Sequence, residues 1–242
     1  MHPKDRLIFA LDVPTRADAV RYAQLLDGHV GCFKVGLQLF ISEGPEVVRA
    51  IREHSGVDIF LDLKLHDIPA TVRSAVKSAV RHDVQYLTVH CGSGMEMLRA
   101  AVAGAQGSAL KLLGVTVLTS TGAAEVSAAD PSFKEMQLAN LVLERARLAQ
   151  SAGVHGVVCS GQEVAHVKNA VHNEIIAVVP GIRPEWSLVS GDDQSRITTP
   201  AQAVQQGADM IVVGRPIRDA DDPKVAAQRI ADEIASVKST AG

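Results

Sequence analysis

The chain lacks any C-x-x-C pair. Its three cysteines, Cys32, Cys91 and Cys159, are odd in number and widely spaced, which argues against a disulfide framework and against a zinc site. Buried free thiols in a reducing cytoplasm are the expectation. Long apolar runs are also missing. The opening Met-His-Pro-Lys-Asp-Arg leads into a short apolar run broken by Asp12, too brief for a secretory h-region or a membrane span. Neither sign of charge is in large excess. With 24 Lys and Arg against 27 Asp and Glu, the formal net charge is -3, so no global field recruits nucleic acid. Any anionic ligand must be held by local Lys and Arg. The usual nucleotide fingerprints are missing as well: no G-x-G-x-x-G follows the first apolar run, and there is no G-x-x-x-x-G-K-[ST].

What is present is the composition of a soluble globular protein. Hydrophobic residues make up 47% and charged ones 21%, enough apolar side chains for a substantial core. At 242 residues the length admits one large barrel or two small domains. Short runs rich in Val, Ile, Leu and Phe recur at 6–12, 32–37, 59–64, 86–90, 113–119, 155–159, 175–179 and 210–214. Because they are mostly continuous rather than half polar, they read as strands buried on both faces, as in a parallel sheet. The first five start at 6, 32, 59, 86 and 113, spacings of 26, 27, 27 and 27 residues, the rhythm of a repeated β-α unit.

Helical patterns lie between them. The clearest spans 69–82, with Val72, Ala75, Val76, Ala79 and Val80 on one stripe and Arg73, Lys77 and Arg81 opposite. The last opens with Asp222-Pro223, a cap followed by proline in the first turn, and is expected to bury Val225, Ile230, Ile234 and Val237. No Pro-, Ser- or charge-rich linker breaks the rhythm. The expectation is therefore an α/β chain forming one (β/α)8 TIM barrel domain over 1–242, with a doubly wound open sheet as the alternative. Two connections are long, 120–138 and 180–199. Loops beyond about 12 to 15 residues are usually functional or disordered, and in a barrel both would lie on the face that carries active sites.

The stretch 59–69, Ile-Phe-Leu-Asp-Leu-Lys-Leu-His-Asp-Ile-Pro, concentrates the electrostatic problem of the chain. In an extended strand Leu61, Leu63 and Leu65 face one way while Asp62 and Lys64 face the other. Charges aimed into a core must be paired and hydrogen-bonded. The plain alternative is an ion pair on an exposed edge, with Asp67 capping the helix that begins at Pro69. Asp12 and Lys34 fall near the ends of the first two strands, so four alternating charges on three adjacent strands point to a designed network. Asp67 is a further candidate for it. A lysine between carboxylates stays an ammonium, suited to donating a proton rather than to forming a Schiff base, which needs a neutral amine. A bound carboxylate forced beside Asp62 would be repelled, and would lose that strain by leaving as carbon dioxide.

The eighth run ends Ile-Val-Val-Gly-Arg-Pro. Loops after strands seven and eight of barrels often bind phosphate. Gly214 would let the backbone approach and Arg215 would supply a forked donor, although a glycine turn with a surface arginine reads the same. Arg183 and Gln194, on the long loop after strand seven, could close over that phosphate. Trp186 is either a seal for that loop or an anchor on the barrel rim. Thr119 and Ser120 offer hydroxyls for a polar ring edge. His66 and His90 are supporting polar residues without metal spacing.

The pattern D-x-K-x-x-D-I-P at Asp62, Lys64 and Asp67 resembles the signature of the orotidine 5'-phosphate decarboxylase family. Ala-Leu-Asp at 10–12 and Phe-Lys-Val-Gly at 33–36 are similar to that family's first two strands, and Leu-Thr-Ser at 118–120 to its pyrimidine-recognising segment. The resemblance implies a cofactor-free decarboxylation of orotidine 5'-phosphate to uridine 5'-phosphate, with no metal. Asp12 and Lys34 would contact ribose, Lys64 would protonate carbon 6, and Asp67 and Thr71 would reach the site of a partner subunit in a homodimer. Pro180, Arg183, Gln194, Gly214 and Arg215 would fall on lid and phosphate positions. Ala70 departs from the Asn that many members carry there, which leaves every charged group in place. Two other readings remain at this point. One is a related barrel decarboxylase or aldolase acting on sugar phosphates through magnesium, whose second strand supplies a metal-binding acid where this chain has Lys34. The other is a non-catalytic barrel that binds a nucleotide.

Overall fold

The computed structural model describes residues 1–120, 135–172, 175–187 and 197–237. Eight parallel strands close into a barrel in sequence order: β1 (Leu7–Ala10), β2 (Cys32–Gly36), β3 (Asp58–Leu65), β4 (Tyr86–His90), β5 (Lys111–Val115), β6 (Gly156–Val158), β7 (Ile176–Val179) and β8 (Met210–Val213). Closure rules out the open sheet, because β1 pairs with both β2 and β8. The connecting helices are α1 (Arg16–Leu26), α2 (Leu37–Glu43), α3 (Glu46–Arg52), α4 (Pro69–Val80), α5 (Met95–Ala105), α6 (Glu135–Ala152), α7 (Val164–Ala170), α8 (Pro200–Gln205), α9 (Arg215–Arg218) and α10 (Pro223–Ser236).

Two apolar layers explain why the strand runs are continuous. One set of strand side chains packs outward on the helices, among them Leu7, Phe9, Phe33, Leu61 and Leu87. The alternate set, Ile8, Ala10, Cys32, Phe60, Tyr86, Leu113, Val178, Met210 and Val212, fills the barrel. Both faces of each strand are thus removed from water, at about 25 cal/mol per Å² of apolar surface. The inward series continues by two-residue steps toward the C-terminal mouth. Ala10 leads to Asp12, Cys32 to Lys34, Phe60 to Asp62, Tyr86 to Thr88, and Val212 to Gly214.

The boundaries correct several expectations. The fifth strand is Lys111–Val115 rather than 113–119, because its register starts with Tyr86 opposite Lys111; Leu118, Thr119 and Ser120 therefore lie past its end. In α10 the buried residues are Ala226, Ala227, Ile230, Ala231 and Ile234. Val225 is 54% exposed, since it lies about 140° around the helix from Ile230 at 100° per residue. Val237 follows the last helical turn and is half-buried. α4 begins with proline at its first position but has no side-chain cap. The Asp67 carboxylate accepts instead from the adjacent Ile68 N–H at 2.6 Å, so it does not cap the helix as the plain alternative required.

Candidate active site

At the C-terminal mouth a cavity of about 410 Å³ is lined by Asp12, Lys34, Asp62, Thr119, Pro180, Gly181, Arg183, Gly214, Arg215 and Arg218, over a floor of Ala10 and Val212. Part of the lining is the alternating charge network. Lys34, only 9% exposed, donates from Nζ to Asp12 Oδ1 at 3.1 Å and stands 3.7 Å from Asp62 Oδ2. Lys64 is not itself among the lining residues but joins them through Asp62, donating from Nζ to the same oxygen at 2.8 Å. Burial by itself would push the Asp62 carboxyl up. The Lys34 and Lys64 ammoniums, with hydrogen bonds from Lys64 and Thr88, outweigh burial and hold it below the usual carboxylate range. Asp62 is therefore a carboxylate fixed between two cations, the arrangement that lets buried charge persist.

Lys64 reaches this position through a break in β3. Its backbone has φ 49°, in the left-handed region, and the pairing with β4 shifts register between Leu61 and Leu65. Such conformations in non-glycine residues persist where surrounding structure over-determines them, and they cluster at functional sites. Thr88, which no sequence motif singles out, is a further partner here. It is buried in β4, accepts from the Lys64 N–H at 2.9 Å and donates to Asp62 Oδ1 at 3.0 Å.

The lining also carries guanidinium groups. Arg183 and Arg215 belong to it, as expected, together with Gly214 and Pro180. Arg218, which sequence reasoning missed, donates from Nη1 to the Asp12 carbonyl at 3.0 Å and pairs with the Asp219 carboxylate through Nε at 2.6 Å. It thereby ties the one-turn α9 to the end of β1. Its only signal in the sequence was a second arginine three residues after Arg215.

Not every expected residue converges on this cavity. Ser120 is exposed and outside its lining, whereas its neighbour Thr119 lines it. Asp67 and Thr71 are exposed and lie outside the lining as well, so within one chain Asp67 is not part of the charged ring. Gln194 lies outside the described residues. The Arg229 guanidinium lies 4.4 Å from the Trp186 ring centroid, and residues 188–196 of the loop that Trp186 would seal lie outside the described residues. Trp186 lines a neighbouring cavity of about 540 Å³ shared with Arg183 and Arg215. The His66 and His90 rings lie 5.3 Å apart beside the network. Burial lowers the His90 pKa, and the nearby His66, Lys64 and Arg145 lower it further. Among the described residues no group of three or more His, Cys, Asp or Glu side chains is placed to hold a metal ion.

A chain with this fold and site has clear relatives. The model of the "Orotidine 5'-phosphate decarboxylase / HUMPS family" matches residues 5–230. The orotidine 5'-phosphate decarboxylase of Desulfosudis oleivorans is 49% identical over 235 residues, covering 96% of this chain and 94% of that protein. That of Anaeromyxobacter sp. (strain K) is 49% identical over 231 residues, covering 96% and 99%. The crystal structure of orotidine 5'-phosphate decarboxylase from Lactobacillus acidophilus superposes with a TM-score of 0.79 at 35% identity, covering 94% of this chain and 98% of that one. With the matched segment running from before β1 into α10, the chain belongs to the orotidine 5'-phosphate decarboxylase / HUMPS family.

Proposed function

We propose that the protein decarboxylates orotidine 5'-phosphate to uridine 5'-phosphate, the last step of uridine monophosphate synthesis, and needs no cofactor to do so. The observation that carries this reading is the Asp62 carboxylate clamped between Lys64 at 2.8 Å and Lys34 at 3.7 Å, in a cavity that Arg183 and Arg215 also line. The substrate phosphate would bind at Gly214 and Arg215 with Gln194 and Arg183, the ribose at Asp12 and Lys34, and the pyrimidine edge at Thr119 and Ser120. This lays the substrate carboxylate against Asp62. The bond from carbon 6 to the carboxylate carbon breaks and carbon dioxide leaves. The electron pair stays on carbon 6, and the Lys64 ammonium neutralises it by giving up a proton. The amine regains a proton from solvent. Charges fixed before the reaction stabilise the carbanion without reorganising, and phosphate binding supplies the remote interaction energy that holds the carboxylate in place.

The magnesium-dependent reading is disfavoured by Lys34, whose ammonium, paired to Asp12 and Asp62, would repel a divalent cation where that chemistry needs an acid. The relatives at 49% identity also carry the decarboxylase name. The exposure of Asp67 and Thr71, with Ile68 between them 66% exposed, supports a homodimer in which these residues complete the partner's site. Three free, buried cysteines fit a reducing cytoplasm, and no helix among the described residues is long and apolar enough to cross a membrane. The test is to follow the absorbance of orotidine 5'-phosphate with purified protein in the presence of a chelator. Conversion to uridine 5'-phosphate is expected. Turnover that stops with the chelator would favour the metal-dependent chemistry, and uridine 5'-phosphate binding without turnover would favour a nucleotide sensor.

A further inference from the structure

Thr88 sits in β4 opposite the point where β3 leaves regular pairing. Phe60 and Leu61 pair with Tyr86 and Leu87, and the next pair is Leu65 with Val89, so β3 advances four residues while β4 advances two. A bulge of this kind strands backbone groups that the ladder would otherwise satisfy. The Lys64 N–H is one of them, and it donates to Thr88 Oγ1 at 2.9 Å. The same hydroxyl gives its own proton to Asp62 Oδ1 at 3.0 Å. Thr88 is 0% exposed, which leaves little opportunity for water to replace either bond. With Oδ1 held in this way, the other oxygen of Asp62 is turned to Lys64 at 2.8 Å and Lys34 at 3.7 Å.

We propose that Thr88 is a positioning residue for the decarboxylation, fixing the Lys64 backbone in its bulge and orienting Asp62 so that ammonium and carboxylate meet the substrate in one geometry. The inference rests on the proposed function. Threonine suits the task because its β-branched side chain is restricted at χ1, so the hydroxyl is presented in a narrow range of directions. Valine has the same shape but would leave one buried donor and one carboxylate oxygen without partners. The charged groups around Asp62 are Lys34 and Lys64, with Asp12 paired to Lys34, and Lys64 and Asp62 act in turn on His90. Loss of the Thr88 hydroxyl removes one of the interactions that keep Asp62 ionised.

The test compares Thr88→Val and Thr88→Ser with the parent full-length chain in decarboxylation and in uridine 5'-phosphate binding. Thr88→Val is expected to lower kcat by about 10²-fold, the scale of a misplacement near 1 Å. Affinity for uridine 5'-phosphate should stay within about threefold, because interactions made only in the transition state are lost from kcat. Thr88→Ser should recover kcat to within about tenfold of the parent, and the acid limb of the kcat profile should move to higher pH in Thr88→Val. A Thr88→Val chain with parental kcat would overturn the inference. So would a loss confined to nucleotide affinity, or a Thr88→Ser chain as impaired as Thr88→Val. Should Thr88→Val fail to fold, Thr88→Ala set against Thr88→Ser makes the same comparison with the same outcomes. A parent chain that leaves orotidine 5'-phosphate unchanged overturns the proposed function and this inference with it, whereas an active parent with an indifferent Thr88→Val overturns this inference alone.

Discussion

Neutralising Asp62 separates the strain placed on a bound carboxylate from the binding of the rest of the nucleotide. Asp62 Oδ2 lies 2.8 Å from Lys64 Nζ and 3.7 Å from Lys34 Nζ, so a substrate carboxylate that reaches these ammoniums must also approach Asp62. At about 4 Å, two like charges repel by roughly 4 kcal/mol at an effective dielectric near 20. Asp62→Asn keeps the shape and removes the charge, and at about 1.4 kcal/mol per decade the repulsion corresponds to at most about three decades of affinity. Uridine 5'-phosphate has no carboxylate at that position and serves as the internal control. The affinity for orotidine 5'-phosphate relative to uridine 5'-phosphate should therefore rise by about 10- to 10³-fold, while kcat falls, the pattern of a residue that strains the ground state. The assay is rapid-mixing determination of substrate affinity in the slowed variant, beside product affinity by calorimetry. An unchanged ratio, or substrate and product affinities that weaken together, would refute the strain assigned to Asp62.

Two further outcomes follow from the placement of other residues. If Asp67 serves the partner's site, a heterodimer of one Lys64→Ala chain and one Asp67→Ala chain contains one intact site of two and should recover about half the parental activity; no recovery in proven heterodimers would contradict the sharing. His90 has its pKa lowered in the folded chain by burial and by neighbouring cations, against an unfolded value of about 6.5. The unfolded chain then binds the extra proton first, so this contribution to stability is present above about pH 6.5 and lost as the pH falls from there toward the depressed folded value. Chemical denaturation between neutral and mildly acidic pH should show that decline, reduced in His90→Gln, and an equal decline in the variant would contradict the assignment.

The barrel was legible because each strand is apolar on both faces, and because Asp12, Lys34 and Asp62 interrupt that pattern at the inward positions nearest the mouth. Charge in an apolar run is conspicuous. Thr88 occupies an equally inward place, but threonine is common in strands and its two bonds depend on a bulge that no local pattern announces. Arg218 belongs to no sequence motif, and only the placement of α9 brings it to the carbonyl of Asp12. Hydropathy misled at Val225, where helical phase rather than residue type decides burial, and at the end of β5, where apolar residues continue past the last paired position. Asp67 was visible as a motif member. Its separation from this chain's cavity was implied only by the family resemblance, because motif spacing alone does not place a side chain in space.

The most direct measurement of the central claim is the kcat of Lys64→Ala beside its affinity for uridine 5'-phosphate. With the proton donor of the charged ring removed and Arg183 and Arg215 intact, turnover should fall by several orders of magnitude while product binding is largely kept. Near-parental turnover by Lys64→Ala would contradict the account.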